Sequence, residues 1–103
     1  MEDDGTVWTD GSAVYPTNPA AITAGWALVA AGGAIWQNGG VPGRQTAARA
    51  EVYAFLMGLC REGTRLIWTD CEAVLKGWNL IKEGKAPRGT LDLWEMVAEK
   101  WLE

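Results

Sequence analysis

The chain contains no histidine and only two cysteines, Cys60 and Cys71, eleven positions apart. Those absences exclude the usual Cys/His zinc arrangements and any histidine general base, and the cysteines read as two buried or half-buried thiols. Basic residues are scarce: 9 Lys and Arg stand against 13 Asp and Glu, a net charge of −4. Because nucleic-acid affinity comes largely from cations that neutralise phosphates, composition by itself argues against a polyanionic partner. No apolar run approaches the length of a membrane span, and Met1 is followed by Glu2, Asp3 and Asp4 rather than by a basic stretch and an apolar core. The expectation is a soluble, intracellular protein with no membrane partner.

What is present is material for one core. The 103 residues are 49% apolar and include seven tryptophans, enough for a single small domain and too few for a second. Trp8, Trp26, Trp36, Trp68, Trp78, Trp94 and Trp101 are expected mostly to build that core and its rim. The competing reading is that exposed indoles stack on nucleic-acid bases.

Apolar and polar residues alternate from Gly5 through Val7, Trp8 and Thr9 and stop at Gly11-Ser12, which predicts a strand ending in a turn. Tyr15 to Thr23, with Pro16, Asn18 and Pro19, reads as a loop. Ala24 to Ala31 and Ala34 to Asn38 are short apolar runs joined by Gly32-Gly33, a dipeptide suited to a tight antiparallel hairpin. Gly39 to Gly43 breaks the chain, after which Ala48, Val52, Phe55 and Leu59 fall at helical spacing between Gln45 and Cys60. Arg65 to Thr69 predicts a fourth strand, Cys71 to Asn79 a second helix, and Leu91 to Leu102 a third with Leu91, Trp94, Val97, Ala98 and Trp101 as its apolar stripe. The helical crossover favours setting the fourth strand parallel to the first, so the order β-β-β-α-β-α-α points to a mixed α/β sheet.

The tripeptide Trp-Thr-Asp occurs twice, at Trp8-Thr9-Asp10 and Trp68-Thr69-Asp70, each time at the carboxyl end of an expected strand. If those strands are parallel neighbours, the aspartates sit side by side. Two close carboxylates repel unless a cation lies between them or they share a proton, and hard oxygen ligands without histidine favour Mg²⁺ or Mn²⁺. Each aspartate alone also has an ordinary structural reading: Asp10-Gly11-Ser12 as a turn, Thr69-Asp70-Cys71-Glu72 as a capping box. Glu51 adds weight to the first reading, because Ala47, Ala48, Ala50, Ala54, Phe55 and Gly58 surround it with small or apolar groups instead of charged partners, with an ordinary exposed helix glutamate as its structural alternative.

Four blocks in order, Thr9-Asp10-Gly11-Ser12, Ala24-Gly25-Trp26-Ala27, Gln45-Thr46-Ala47-Ala48-Arg49-Ala50-Glu51-Val52-Tyr53-Ala54 and Trp68-Thr69-Asp70-Cys71, resemble the successive motifs of ribonuclease H type 1 domains, in a form similar to those of retroelements. Leu91-Asp92-Leu93-Trp94 also resembles the start of that family's fourth helix. The resemblance implies a ribonuclease H-like mixed sheet, antiparallel in its first three strands with the fourth parallel to the first and helices packed on it. It implies a two-metal endonuclease, using Mg²⁺ or Mn²⁺, that cuts the RNA strand of an RNA–DNA hybrid. Asp10 would bridge both metals while Glu51 and Asp70 complete the first site, one ion activating water and the other stabilising the leaving 3′ oxygen. Beside the acids, Gly11 and Ser12 would offer backbone N–H groups to a phosphate, and Gln45 and Thr46 would reach minor-groove edges and 2′-hydroxyls, with turn and helix-cap roles as their structural alternatives.

The family continues with a fifth strand and a final helix that bring a histidine and a fourth metal-binding aspartate, and this sequence ends at Glu103 without them. The expectation is therefore one domain over residues 1–103, incomplete at its carboxyl end, with activity weak, Mn²⁺-dependent or absent. The alternative is a catalytically impaired module for nucleic-acid binding or protein interaction. Glu72, Asp92, Glu95 and Glu99 are the acids available as substitutes, and Glu72 would also repel phosphate. The basic side chains near them are Lys76, Lys82, Lys85 and Arg88. The strand at Leu66-Ile67-Trp68 is left at the sheet edge, apolar and unpaired, as a template for a homodimer.

Overall fold

Alternation in the first strand decides which side of the sheet is covered. In a computed structural model describing residues 5–14, 23–30 and 33–102, Val7, Thr9 and Gly11 are buried whereas Trp8, Asp10 and Ser12 are exposed. The first set faces a helix and the second faces away from it, as the two-residue period of a strand requires.

The elements follow the expected order: β1 (Thr6–Val14), β2 (Thr23–Val29), β3 (Ile35–Gly40), α1 (Ala47–Cys60), β4 (Leu66–Trp68), α2 (Glu72–Lys82) and α3 (Leu91–Trp101). The sheet order is β3-β2-β1-β4, with β1 antiparallel to β2 and parallel to β4. The α1 crossover returns the chain to the sheet in the same direction as β1, which is why β4 pairs in parallel.

Several boundaries differ from expectation. β1 runs through Gly11-Ser12 to Val14, because Gly11 pairs with Trp26 and Ser12 with Gly25 across the ladder instead of turning. β3 likewise absorbs Gly39 and Gly40, paired with Trp26 and Gly25. No capping box forms at residues 69–72: α2 starts at Glu72 with Cys71 at its N-cap, and Thr69 Oγ1 instead accepts from the Cys71 N–H at 3.1 Å. In the hairpin, Gly33 takes φ +91°, while Gly32 and residues 15–22 of the expected loop lie outside the described residues, and Thr23, expected to end that loop, instead opens β2.

One apolar cluster joins the three helices through Val52, Phe55, Leu56, Val74, Ile81, Leu93, Trp94 and Val97. Each such side chain contributes about 1.5–3 kcal/mol by leaving water. Gly77 makes the helix contact possible, since a Cβ there would overlap the Trp94 ring. A smaller cluster of Ala24, Val41 and Ala50 ties the start of α1 to β2.

The tryptophans divide. Trp94 is buried, but Trp8 and Trp68 are 42% and 51% exposed on the uncovered sheet face, their rings stacked with centroids 6.3 Å apart. Cys71 is half-buried as expected, whereas Cys60 is exposed at the end of α1. Among the described residues, no helix is long and apolar enough to cross a membrane.

Candidate active site

The two Trp-Thr-Asp segments lie in register, Trp8 beside Trp68 on parallel neighbours. The pairing ends there, so Asp10 and Asp70 each lie two residues beyond it, and the charges of both reach Glu51. Buried Thr9 fastens the junction, its hydroxyl donating to the Trp68 carbonyl at 3.4 Å.

Glu51 reaches the same place from α1 because Gly11 lets the helix approach. A Cβ at Gly11 would overlap main-chain atoms of Ala50 and Glu51, so only glycine allows β1 and α1 this close. The Gly5 carbonyl accepts from the Leu66 N–H at 3.1 Å, and backbone alternation along β1 therefore turns the Gly11 N–H toward the β4 side as well. There, beyond the end of β4, the Gly11 backbone hydrogen bonds to the Glu51 carboxylate.

Burial is the largest influence on Glu51, pushing its carboxyl up to about 7, and the charges of Asp10 and Asp70 push the same way while the Gly11 hydrogen bond opposes them. Glu51 Oε2 is enclosed and accepts no hydrogen bond. An ionised oxygen without a partner is costly, and a cation is one group that would satisfy it.

Asp10 and Asp70 are exposed, and Asp10 lines a shallow cleft of about 310 Å³ with Ser12, Gly25, Trp26, Ala27, Asn38 and Gly39. Among the described residues, no three His, Cys, Asp or Glu side chains form a ready-made metal cage. The three acids are thus electrostatic neighbours approaching from different elements, and their donor set and the orphaned Glu51 oxygen fit a hard divalent ion drawn between them.

Gln45 and Thr46 stand at the entrance to α1, both half-buried. Gln45 Oε1 accepts from the Ala24 N–H at 2.8 Å and its amide donates to the carbonyls of Val41 and Gly43, so it cross-links β2 to the loop before the helix. Thr46 is the N-cap, accepting from the Arg49 N–H at 3.1 Å.

Of the possible substitute acids, Glu72 pairs with Lys76 at 3.1 Å and Asp92 pairs with Arg49. Arg49 is a residue the sequence reading missed. It donates to the Pro42 carbonyl at 2.6 Å and to both Asp92 oxygens at 2.8 Å, clamping α3 and the loop before α1 onto the helix that carries Glu51. No local signal in the sequence marks it, because its partners lie 7 and 43 residues away. Asn38, in the Asp10 cleft, is marked by the sequence pattern only as the end of a strand.

No family model and no curated protein matches the chain. Among solved structures it is similar to the foamy viral protease-reverse transcriptase in complex with double-stranded DNA, with a TM-score of 0.66 and 23% identity over 96% of this chain and 74% of that one. It is also similar to the foamy viral protease-reverse transcriptase in complex with an RNA/DNA hybrid, with a TM-score of 0.63 and 20% identity, there spanning 16% of the other chain. At such identities the likeness is one of fold, and the four-stranded mixed sheet with its three helices is a ribonuclease H-like α/β arrangement.

Proposed function

We propose that this chain is a nucleic-acid-binding module of ribonuclease H type that holds Mg²⁺ or Mn²⁺ with Asp10, Glu51 and Asp70 and hydrolyses the RNA strand of RNA–DNA hybrids at low turnover. The observation that carries the reading is Glu51: a half-buried carboxylate with one oxygen unpartnered, within electrostatic reach of two aspartates that follow neighbouring parallel strands. The complexes of the similar foamy viral proteins with double-stranded DNA and with an RNA/DNA hybrid support a nucleic-acid partner.

In this reading the bound ions supply an activated water and stabilisation of the leaving 3′ oxygen. The chain's own residues do the positioning. Gly11 fixes the Glu51 carboxylate, Thr9 locks the two aspartate-bearing strands, and Ser12 and Asn38 in the Asp10 cleft offer polar groups to a backbone phosphate or sugar. At the helix entrance the Thr46 hydroxyl proton would meet the minor groove, while Gln45, held by Ala24, Val41 and Gly43, would do so only by exchanging those bonds.

A second reading, a catalytically impaired module, is favoured by the open arrangement of the acids and the net charge of −4. A protein partner, a second copy docking at the β4 edge, is compatible with both. Cleavage of a labelled RNA–DNA hybrid in Mn²⁺, with Asp10→Asn purified in parallel, separates them. Products that vanish in the variant support the nuclease, and an uncut hybrid in both leaves the binding module.

A further inference from the structure

One row of side chains crosses three strands: Asp10 pairs with Ala27, and Ala27 pairs with Asn38. Directly paired residues share a face, so Asp10 and Asn38 stand on the uncovered side of the sheet with only the Ala27 methyl between them. Two ladder steps separate their backbones, about 10 Å. The next row on that face runs through Ser12, Gly25 and Gly40. Asp10, Ser12, Gly25, Ala27 and Asn38 from these rows line the cleft of about 310 Å³. Its floor is almost bare of side chains, with Asp10 and Ser12 on one wall and exposed Asn38 on the other. Local propensity does not account for Asn38-Gly39-Gly40 in β3, because asparagine and glycine are both poor strand formers.

Among the described residues no lysine or arginine lines the cleft, so a phosphate would be held there only through a cation on Asp10, and the Asn38 wall meets an uncharged part of the strand. That part is the ribose. A carboxamide both donates and accepts, as a 2′-hydroxyl does, and the 2′-hydroxyl is the group that distinguishes RNA from DNA. We propose that Asn38 is the specificity residue of this site: its carboxamide hydrogen bonds the 2′-hydroxyl of a ribose next to the phosphate held at Asp10, so that this sheet face selects an RNA strand over a DNA strand. Ala27 keeps the gap open, since a long side chain there would stand between the acid and the amide. The inference deepens the ribonuclease H reading and rests on it.

Fluorescence anisotropy of labelled duplexes, with Ca²⁺ in place of Mn²⁺ to hold the hybrid uncut, tests it on the whole chain. Wild type is expected to bind an RNA–DNA hybrid more tightly than duplex DNA of the same sequence. Asn38→Ala is expected to weaken hybrid binding about fivefold, the worth of one neutral hydrogen bond, and to leave duplex DNA binding unchanged. Gln37→Ala changes neither, because pairing with buried Leu28 puts Gln37 on the opposite face. Replacing one ribose at a time by 2′-deoxyribose is expected to find a position at which wild type and Asn38→Ala bind equally. The exposed Asn38 side chain is cut back without loss of fold, which denaturant unfolding of the variant verifies. Equal weakening on hybrid and duplex DNA, which marks a phosphate contact, no weakening on either, or no position that equalises the two proteins overturns the proposal. Each of these leaves the ribonuclease H reading standing where wild type binds the hybrid and Asp10→Asn does not. A wild type that does not bind the hybrid at all overturns both.

Discussion

Gly11 lies against the peptide joining Ala50 to Glu51 with no room for a side chain, and its backbone hydrogen bonds to the Glu51 carboxylate. One glycine therefore sets both the distance from strand to helix and the position of the buried acid.

Gly11→Ala should be among the most damaging single-methyl additions in the chain. The atoms it meets are main chain and cannot rotate away, so α1 must move. A loss of about 2–4 kcal/mol is expected in denaturant unfolding, against a near-neutral Gly40→Ala, where an added Cβ meets nothing within 4 Å.

The same acid makes stability depend on pH. Its folded pKa is about 7 against an ordinary 4.5, so the native state holds this proton more tightly than the unfolded chain. Without metal, stability is expected to fall as pH rises from about 4.5 to beyond 7, by about 1–2 kcal/mol once solvent screening of a half-buried group is allowed for. Glu51→Gln should remove that slope, and unfolding curves of both proteins at several pH values check it.

Much of this was legible in the sequence. The repeated Trp-Thr-Asp, the hairpin glycines and the helical spacing from Ala48 to Leu59 each report a local pattern, and the strand order followed from connection rules. The run Leu66-Ile67-Trp68 marks a strand at the sheet edge, but three successive apolar residues do not tell its faces apart, and the helices cover only the Ile67 side. Trp8 belongs to the same uncovered face. Gly11 read as a turn because glycine's freedom and its small size leave the same mark in a sequence, and only the packing of α1 shows that size is what matters here.

Arg49 carries a second prediction about the frame. Its side chain is only 12% exposed and bonds Pro42 and Asp92 at once. Arg49→Ala is expected to lower Tm by about 5 °C or more, and Asp92→Asn by less, because Asp92 is exposed and Arg49 keeps Pro42. The Arg49 hydrogen bond holds the Asp92 carboxyl below its ordinary range, so this stabilisation is present above the usual aspartate pKa and disappears as pH falls through the lowered value. Differential scanning calorimetry at neutral and acid pH reads both effects.

Whether Asp10, Glu51 and Asp70 form one cation site is decided by calorimetric titration of Mn²⁺ into wild type and Asp10→Asn near pH 7. Wild type is expected to bind saturably with release of the Glu51 proton, seen as a heat that varies with the buffer's ionisation enthalpy, and Asp10→Asn to lose that binding. Identical isotherms for the two proteins, or no binding by either, would contradict such a site.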